Sequence, residues 1–186
     1  SLARADGEAV ALLGPDGHPT ATRSVLARAA VELSGELRPR VPGTDPVVLS
    51  LPNGERLVRT FLALRRIGAP VALVDASAPA DELRRCAVAV GASAVLATPE
   101  RISGQVVWDK DGLALGRQHD LPVVALPGGT AVLKLTSGSS GLPKAIALSA
   151  RQLAADGVQI MRTMDFGGRD VTLAAIPLTH SYGLGS

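Results

Sequence analysis

Val47-Val48-Leu49-Ser50-Leu51 is followed, after Pro52-Asn53-Gly54, by Glu55-Arg56-Leu57-Val58-Arg59-Thr60-Phe61-Leu62-Ala63-Leu64-Arg65-Arg66-Ile67, and then by Gly68-Ala69-Pro70 and Val71-Ala72-Leu73-Val74. The first and last of these runs are short and almost wholly apolar, the pattern of strands buried on both faces. Between them Leu57, Phe61 and Leu64, supported by Val58 and Leu62, recur three or four residues apart and predict a helix with one buried face. Asn53 is placed to cap its start and Gly68 to end it. The same grammar returns 23 residues later, where Gly91-Ala92 stands in the place of Gly68-Ala69. Pro79 lies near the first turn of another helix, Asp81 and Glu82 sit at its positive end, and Leu83, Cys86, Ala87 and Val90 form its inner face. Gly91 stops that helix and Ala94-Val95-Leu96-Ala97 makes the next strand. Apolar strands alternating with amphipathic helices predict an α/β fold, a largely parallel sheet covered by helices on both faces.

Outward from this centre the signals vary in strength. Residues 8–13 read as a short strand, and Gly14-Pro15-Asp16-Gly17 supplies turn chemistry. From Thr20 to Leu37 the positions Leu26, Ala29, Ala30, Leu33 and Leu37 predict a helix. Pro39, Pro42, Gly43 and Pro46 make 38–46 a loop. The stretch 101–129 is mostly polar and irregular, with Val106-Val107-Trp108 as a short strand. Val171 to Ile176 reads as a further strand. His18 falls in a turn and His119 in a polar stretch, and both are expected in solvent.

Composition narrows the function classes. The chain has 186 residues, 46% hydrophobic and 19% charged, which supports a packed core and argues against disorder. Phe61, Trp108, Phe166 and Tyr182 are the only aromatics, so the core is expected to be Ala, Val, Leu and Ile. Cys86 is the single cysteine, which excludes an internal disulfide, and its place on an apolar helix face reads as a buried structural thiol. The net charge is +2 with the cations scattered, and no basic stripe with interleaved aromatics points to nucleic acid. No apolar run approaches the roughly 18 residues of a membrane span. The chain starts with Ser1 rather than Met, suggesting a processed or engineered product. No secretory signal precedes the first elements, so the cytoplasm is the default location.

Residues 131–148 carry the chemistry. A strand, Ala131 to Leu135, runs into Thr136-Ser137-Gly138-Ser139-Ser140-Gly141-Leu142-Pro143-Lys144, and Ala145 to Leu148 make a second strand. Ser149 and Gln152 then form a capping box for a helix carrying Leu153, Ile160, Met161 and Met164. The loop between the strands holds four hydroxyls, two glycines and one lysine. Glycines free backbone N–H groups to curl around an anion, hydroxyls add donors, and Lys144 adds a point charge, which together make a polyphosphate cradle. The Walker A loop is excluded, because that motif needs Gly before the Lys and a helix directly after it. A flexible Gly/Ser hairpin with a chance lysine is the competing reading.

The 136–144 loop resembles the signature loop of the adenylate-forming enzymes, which include acyl-CoA synthetases, peptide-synthetase adenylation domains and luciferases. That family usually has Thr-Ser-Gly-Thr/Ser-Thr-Gly-x-Pro-Lys-Gly. Here Ser140 replaces the commoner Thr and keeps the hydroxyl, while Ala145 replaces the usual Gly. Ile176-Pro177-Leu178-Thr179-His180-Ser181-Tyr182-Gly183 is similar to the family's next core motif, in which the residue at the position of His180 lines the acyl-substrate side of the site. Thr179 is polar where many relatives carry an aromatic. Without the resemblance, His180 reads equally well as a capped surface residue. Its histidines show no metal-ligand spacing, so no metal site is expected.

The resemblance implies that residues 1–186 are a partial amino-terminal domain of such an enzyme, with the phosphate-binding loop at 136–144. It implies Mg2+ and ATP as cofactors, a carboxylic acid as substrate and coenzyme A or phosphopantetheine as acyl acceptor. Thr136, Ser137, Ser139, Ser140 and Lys144 would orient the phosphates, with Gly138 and Gly141 shaping the cradle and Lys144 acting in catalysis. The family's adenine-binding segment, magnesium-holding Thr-Glu pair, ribose-clamping Asp and carboxy-terminal lysine would lie beyond residue 186. The fragment alone is then expected to be inactive, with the rest of the parent polypeptide or a second copy covering its exposed face. A non-catalytic phosphate-binding or scaffolding αβ module is the alternative.

Overall fold

A computed structural model describes residues 7–119, 121–136, 143–167, 170–180 and 183–184. Val10–Leu13 (β1) and Pro19–Thr22 (β2) form an antiparallel hairpin that leads into Arg23–Leu37 (α1). The expected helix from Thr20 thus starts three residues later. Thr22 is its N-cap, with its hydroxyl accepting from the Val25 N–H, and the residues before it are drawn into pairing with β1. There follow Val47–Ser50 (β3), Glu55–Ile67 (α2), Val71–Leu73 (β4), Ala80–Val90 (α3) and Ala94–Ala97 (β5). Val106–Lys110 (β6), Leu113–Arg117 (β7), Thr130–Thr136 (β8), Lys144–Ser149 (β9) and Ala150–Thr163 (α4) complete the described elements.

Seven strands form one sheet in the order β6-β7-β5-β3-β4-β8-β9. The four central strands, β5, β3, β4 and β8, run parallel, and the outer pairings β5–β7, β6–β7 and β8–β9 are antiparallel. The parallel centre matches the expectation from strand and helix alternation. The antiparallel flanks come from two hairpins, because a short connection cannot carry a chain back to make a parallel neighbour.

Side chains alternate across these strands and sort the core into two layers. Val47, Leu49, Val71, Leu73, Ala94 and Leu96 meet Leu33 and Leu37 of α1 and Leu57, Ala63, Leu64 and Ile67 of α2. Val48, Ala72, Val74, Val95 and Ala97 meet Leu83, Cys86, Ala87 and Val90 of α3. The chain steps from β3 to β4 in one direction and from β4 back across to β5 in the other. Right-handed crossovers of opposite direction place α2 and α3 on opposite faces. Gly68 and Gly91 end these two helices at φ of 102° and 61°, left-handed values that a side chain would strain.

Several local readings change. Asn53 does not cap α2. Gly54 holds the N-cap position with no side-chain cap, and the Asn53 carboxamide is engaged elsewhere. Thr60 belongs to the buried face of α2 with Leu57, Ala63, Leu64 and Ile67, while Phe61 is only partly buried. The Thr60 hydroxyl satisfies itself by donating to the Arg56 carbonyl at 2.7 Å. The segment 101–129 contains a full hairpin, β6–β7, whose Leu113, Ala114 and Leu115 are buried. Asp111 and Gly112 turn it with φ of 53° and 70°, the two positive values of a type I′ turn. Val171 to Ile176 is not a strand. Val171 and Leu173 are 75% and 86% exposed, and no described strand pairs with the segment, so its backbone has no ladder to join. The capping box of α4 is formed as expected, with Ser149 and Gln152 bonding each other's backbone. Its apolar stripe is not buried: Val158, Met161 and Met164 are exposed, and the helix lies against β8 and the edge strand β9.

Candidate functional site

In an open sheet of this kind, ligand sites form beyond the carboxyl ends of the parallel strands, where neighbouring strands send their chains to opposite faces. Strands β3 and β4 are such a pair, since β3 leads to α2 on one face and β4 to α3 on the other. Four connections leave this end of the sheet: one after β3 containing Asn53, one after β4 containing Asp75, one after β5 containing Arg101, and the 136–144 loop after β8.

The base of the 136–144 loop is a closed hairpin. Thr136 and Lys144 are register partners, and the Thr136 hydroxyl donates to the Lys144 carbonyl at 3.3 Å. Both residues are exposed, which leaves the ammonium group of Lys144 open to a solvent-borne anion, whereas the single Thr136 hydroxyl proton is already directed at the Lys144 carbonyl. Ser137, Gly138, Ser139, Ser140 and Gly141 lie outside the described residues. Among the described residues of the loop, Lys144 is the cation exposed at its end.

His180 is brought to the same end of the sheet. A small cleft of about 10 Å³, partly open to solvent, is lined by Leu73 of β4, Lys134 and Leu135 of β8, and Leu178, Thr179 and His180. The residue preceding Thr136 in β8 therefore shares a cleft with His180, so structure joins two motifs that sequence holds about 40 residues apart. His180 is exposed, and its N–H closes a turn onto the Pro177 carbonyl at 2.9 Å. Leu178 and Leu184 pack on the α1/α2 side of the core. Gly183 is required there, because a Cβ at that position would stand 2.0 Å from the Pro177 carbonyl oxygen.

Five residues that sequence reading left without a site role build this corner. Asn53 Oδ1 accepts from the Leu178 N–H at 3.1 Å, and Asp75 Oδ2 accepts from the Thr179 hydroxyl at 3.4 Å. The other Asp75 oxygen accepts from the Ser77 N–H and hydroxyl at 2.7 and 2.6 Å. These Ser77 bonds, side chain first, hold the Asp75 carboxyl below the usual carboxylate range, with smaller help from Thr179 and Arg101. Ser50 is fully buried at the end of β3 and donates to the Asp75 carbonyl at 3.1 Å. Arg101 donates to the Ser50 hydroxyl at 2.7 Å and to the Ala78 carbonyl. The only sequence signal for them was position, polar residues at the end of an apolar strand or within four residues after it.

Among the described residues no group of three or more His, Cys, Asp or Glu side chains is placed to hold a metal ion. His18 and His119 are exposed and away from the cleft. Cys86 is buried on α3, and burial pushes its thiol up to about 11. Among the described residues no helix is long and apolar enough to cross a membrane.

A family model described as AMP-binding enzyme matches residues 2–186. Sulfoacetate–CoA ligase of Cupriavidus necator is 30% identical over 194 residues, covering 93% of this chain and 38% of the relative. 2-Succinylbenzoate–CoA ligase of Salmonella typhimurium is 30% identical over 167 residues, covering 88% of this chain and 35% of the relative. The chain therefore spans little more than a third of the length of these curated relatives. Among solved structures, O-succinylbenzoate coenzyme A synthetase from Bacillus subtilis in complex with AMP superposes with a TM-score of 0.78 at 20% identity, covering 99% of this chain and 50% of that one. At that identity the likeness concerns the fold, and it agrees with an amino-terminal subdomain of adenylate-forming architecture.

Proposed function

Because the chain belongs to the AMP-binding enzyme family, we propose that it is the phosphate-binding part of a longer ATP-dependent ligase that activates a carboxylic acid and passes the acyl group to coenzyme A or a carrier phosphopantetheine. The observation that carries this reading is the Thr136–Lys144 hairpin base standing next to the cleft that holds His180. One end of the corner offers donors for phosphate, and the other offers a lined cleft for an acid.

Mg-ATP, when bound, would supply the electrophilic phosphorus and the pyrophosphate leaving group. The work of this chain is to hold and neutralise the phosphates. Thr136, Ser137, Ser139 and Ser140 donate hydrogen bonds, Gly138 and Gly141 let the backbone approach, and Lys144 places a positive charge where the leaving group's charge develops. His180 lines the side of the cleft from which the acid's carboxylate approaches. The residues that hold Mg2+ and the adenine lie outside this chain in this reading.

The exposed apolar surface of Val158, Met161, Met164, Val171 and Leu173 is then covered by the remainder of the polypeptide, with self-association as the outcome when the chain is made alone. The partial amino-terminal domain, cytoplasmic action and an inactive isolated chain belong to the same proposal. Its test is carboxylate-dependent ATP–pyrophosphate exchange by the complete polypeptide carrying this chain. Exchange that depends on both an acid and Lys144 supports the ligase. Phosphate binding without exchange returns the chain to a non-catalytic module.

A further inference from the structure

The turn that carries His180 has no ladder to hold it. Residues 171–176 before it pair with no described strand, and its own backbone bonds run within 177–184. It is attached to the sheet in part by the packing of Leu178 and Leu184 and by two side-chain hydrogen bonds, one to the loop after β3 and one to the loop after β4. These come from Asn53 and Asp75, one on each side of the point where the chain diverges to opposite faces. Both bonds fall on the residues immediately before His180.

The two anchors differ in how firmly they are themselves fixed. Asp75 is an exposed carboxylate, yet its backbone is tied down by Ser50, which Arg101 orients from the 3-10 turn at Pro99–Arg101. Its side chain is oriented by Ser77, leaving Oδ2 for Thr179. The Arg101–Ser50–Asp75–Thr179 chain therefore links the end of β3 to the residue next to His180. Thr179 is needed for this link, because an aromatic at that position has no aliphatic hydroxyl to donate to Asp75.

We propose that Asn53 and Asp75 are positioning residues that clamp the Leu178–Thr179 backbone and side chain so that His180 lines the acid side of the cleft, with the Thr179 hydroxyl as the donor to Asp75. The inference rests on the ligase reading for its effect on the acid, but the clamp itself is a property of the fold. A loosened clamp leaves Thr136 and Lys144 without a lost bond, since among the described residues neither Asn53 nor Asp75 bonds to either of them. The effect is thus on acid binding rather than on ATP.

The experiment uses the complete polypeptide carrying this chain and the variants Asn53→Ala, Thr179→Val and Thr179→Ser. Amide hydrogen exchange at Leu178 and His180 is measured without ligands, and KM for acid and for ATP in pyrophosphate exchange. Asn53→Ala and Thr179→Val should speed exchange at these amides and raise the acid KM about threefold to tenfold, the loss of one hydrogen bond each. The ATP KM should stay within about twofold, and Thr179→Ser, which keeps the hydroxyl, should restore the wild-type values. Unchanged amide exchange in both disruptive variants overturns the clamp. Faster amide exchange with an unmoved acid KM, or with acid and ATP KM raised alike, overturns the positioning role while leaving the ligase reading intact. A wild-type polypeptide with no acid-dependent exchange overturns the ligase reading and the acid-positioning role together, whereas the clamp is still decided by the amides.

Discussion

The Thr136 hydroxyl and the Lys144 carbonyl close the 136–144 loop at its base, 3.3 Å apart, as register partners of β8 and β9. The loop between them is therefore held at both ends by a strand, and the Lys144 side chain starts from a fixed backbone. A lysine on a free linker would lose more conformational entropy on binding phosphate.

Lys144→Ala should lower acid-dependent pyrophosphate exchange by about 10²- to 10³-fold in the complete polypeptide, the usual cost of removing one group that stabilises developing charge. Lys144→Arg should recover only part of the rate, since a planar guanidinium does not reproduce a compact ammonium. Full exchange in the alanine variant would remove Lys144 from the mechanism.

Gly183→Ala should displace the His180 turn, because the new Cβ would lie 2.0 Å from the Pro177 carbonyl oxygen. The amides of His180 and Leu184, bonded at 2.9 and 3.3 Å within this turn, should exchange at least about tenfold faster. Hydrogen-exchange mass spectrometry reads this directly, and protection equal to the parent's would contradict the close approach.

The β6–β7 hairpin contributes to the core and does not merely cover it. Leu115→Ala should destabilise the fold by about 2–5 kcal/mol, since Leu115 is fully buried. Val106→Ala on the same hairpin should cost no more than about 0.5 kcal/mol, because Val106 is 45% exposed. Urea titration of the two variants should separate them clearly.

Cys86 sets a limit at alkaline pH. Burial raises its thiol from 9.0 to about 11, so the folded state favours the protonated form. Its contribution to stability is complete below the unfolded value and is lost as pH rises from about 9 through about 11. The measured stability should therefore decline across that window. The decline should be smaller in Cys86→Ala, and iodoacetamide at pH 8 should label Cys86 only after unfolding.

Elements with a strong local period were legible in the chain itself. Leu83, Cys86, Ala87 and Val90 follow helical spacing, and they are the buried residues of α3. Thr60 escaped because hydropathy ranks a threonine as polar, whereas its hydroxyl is satisfied within its own helix and its methyl is free to be buried. The β7 strand escaped because its buried Leu113, Ala114 and Leu115 are too few to show a period; only Asp111-Gly112 marked the hairpin. Val171 to Ile176 has strand composition, but composition cannot supply the partner that a strand needs.

The site divided in the same way. Thr136, Lys144 and His180 carried recognisable chemistry in motifs, and the fold brings the second motif to the end of β8. Asn53, Ser50, Asp75 and Arg101 carried none. Each is a single polar residue at a strand or turn end, bonded to residues 25 to 125 positions away.

Local order in the chain was thus enough to determine the α/β class, the two Gly-Ala helix stops and the hydroxyl, glycine and lysine inventory of the 136–144 loop, because each depends on residues within a turn or two of one another. Only the tertiary structure decided that β5 and β4 flank β3, that α2 and α3 cover opposite faces, and that Asn53 and Asp75 close on the turn before His180. Those relations arise from strand pairing and burial between distant segments, and their energy is set by which surfaces meet rather than by the sequence along any one of them.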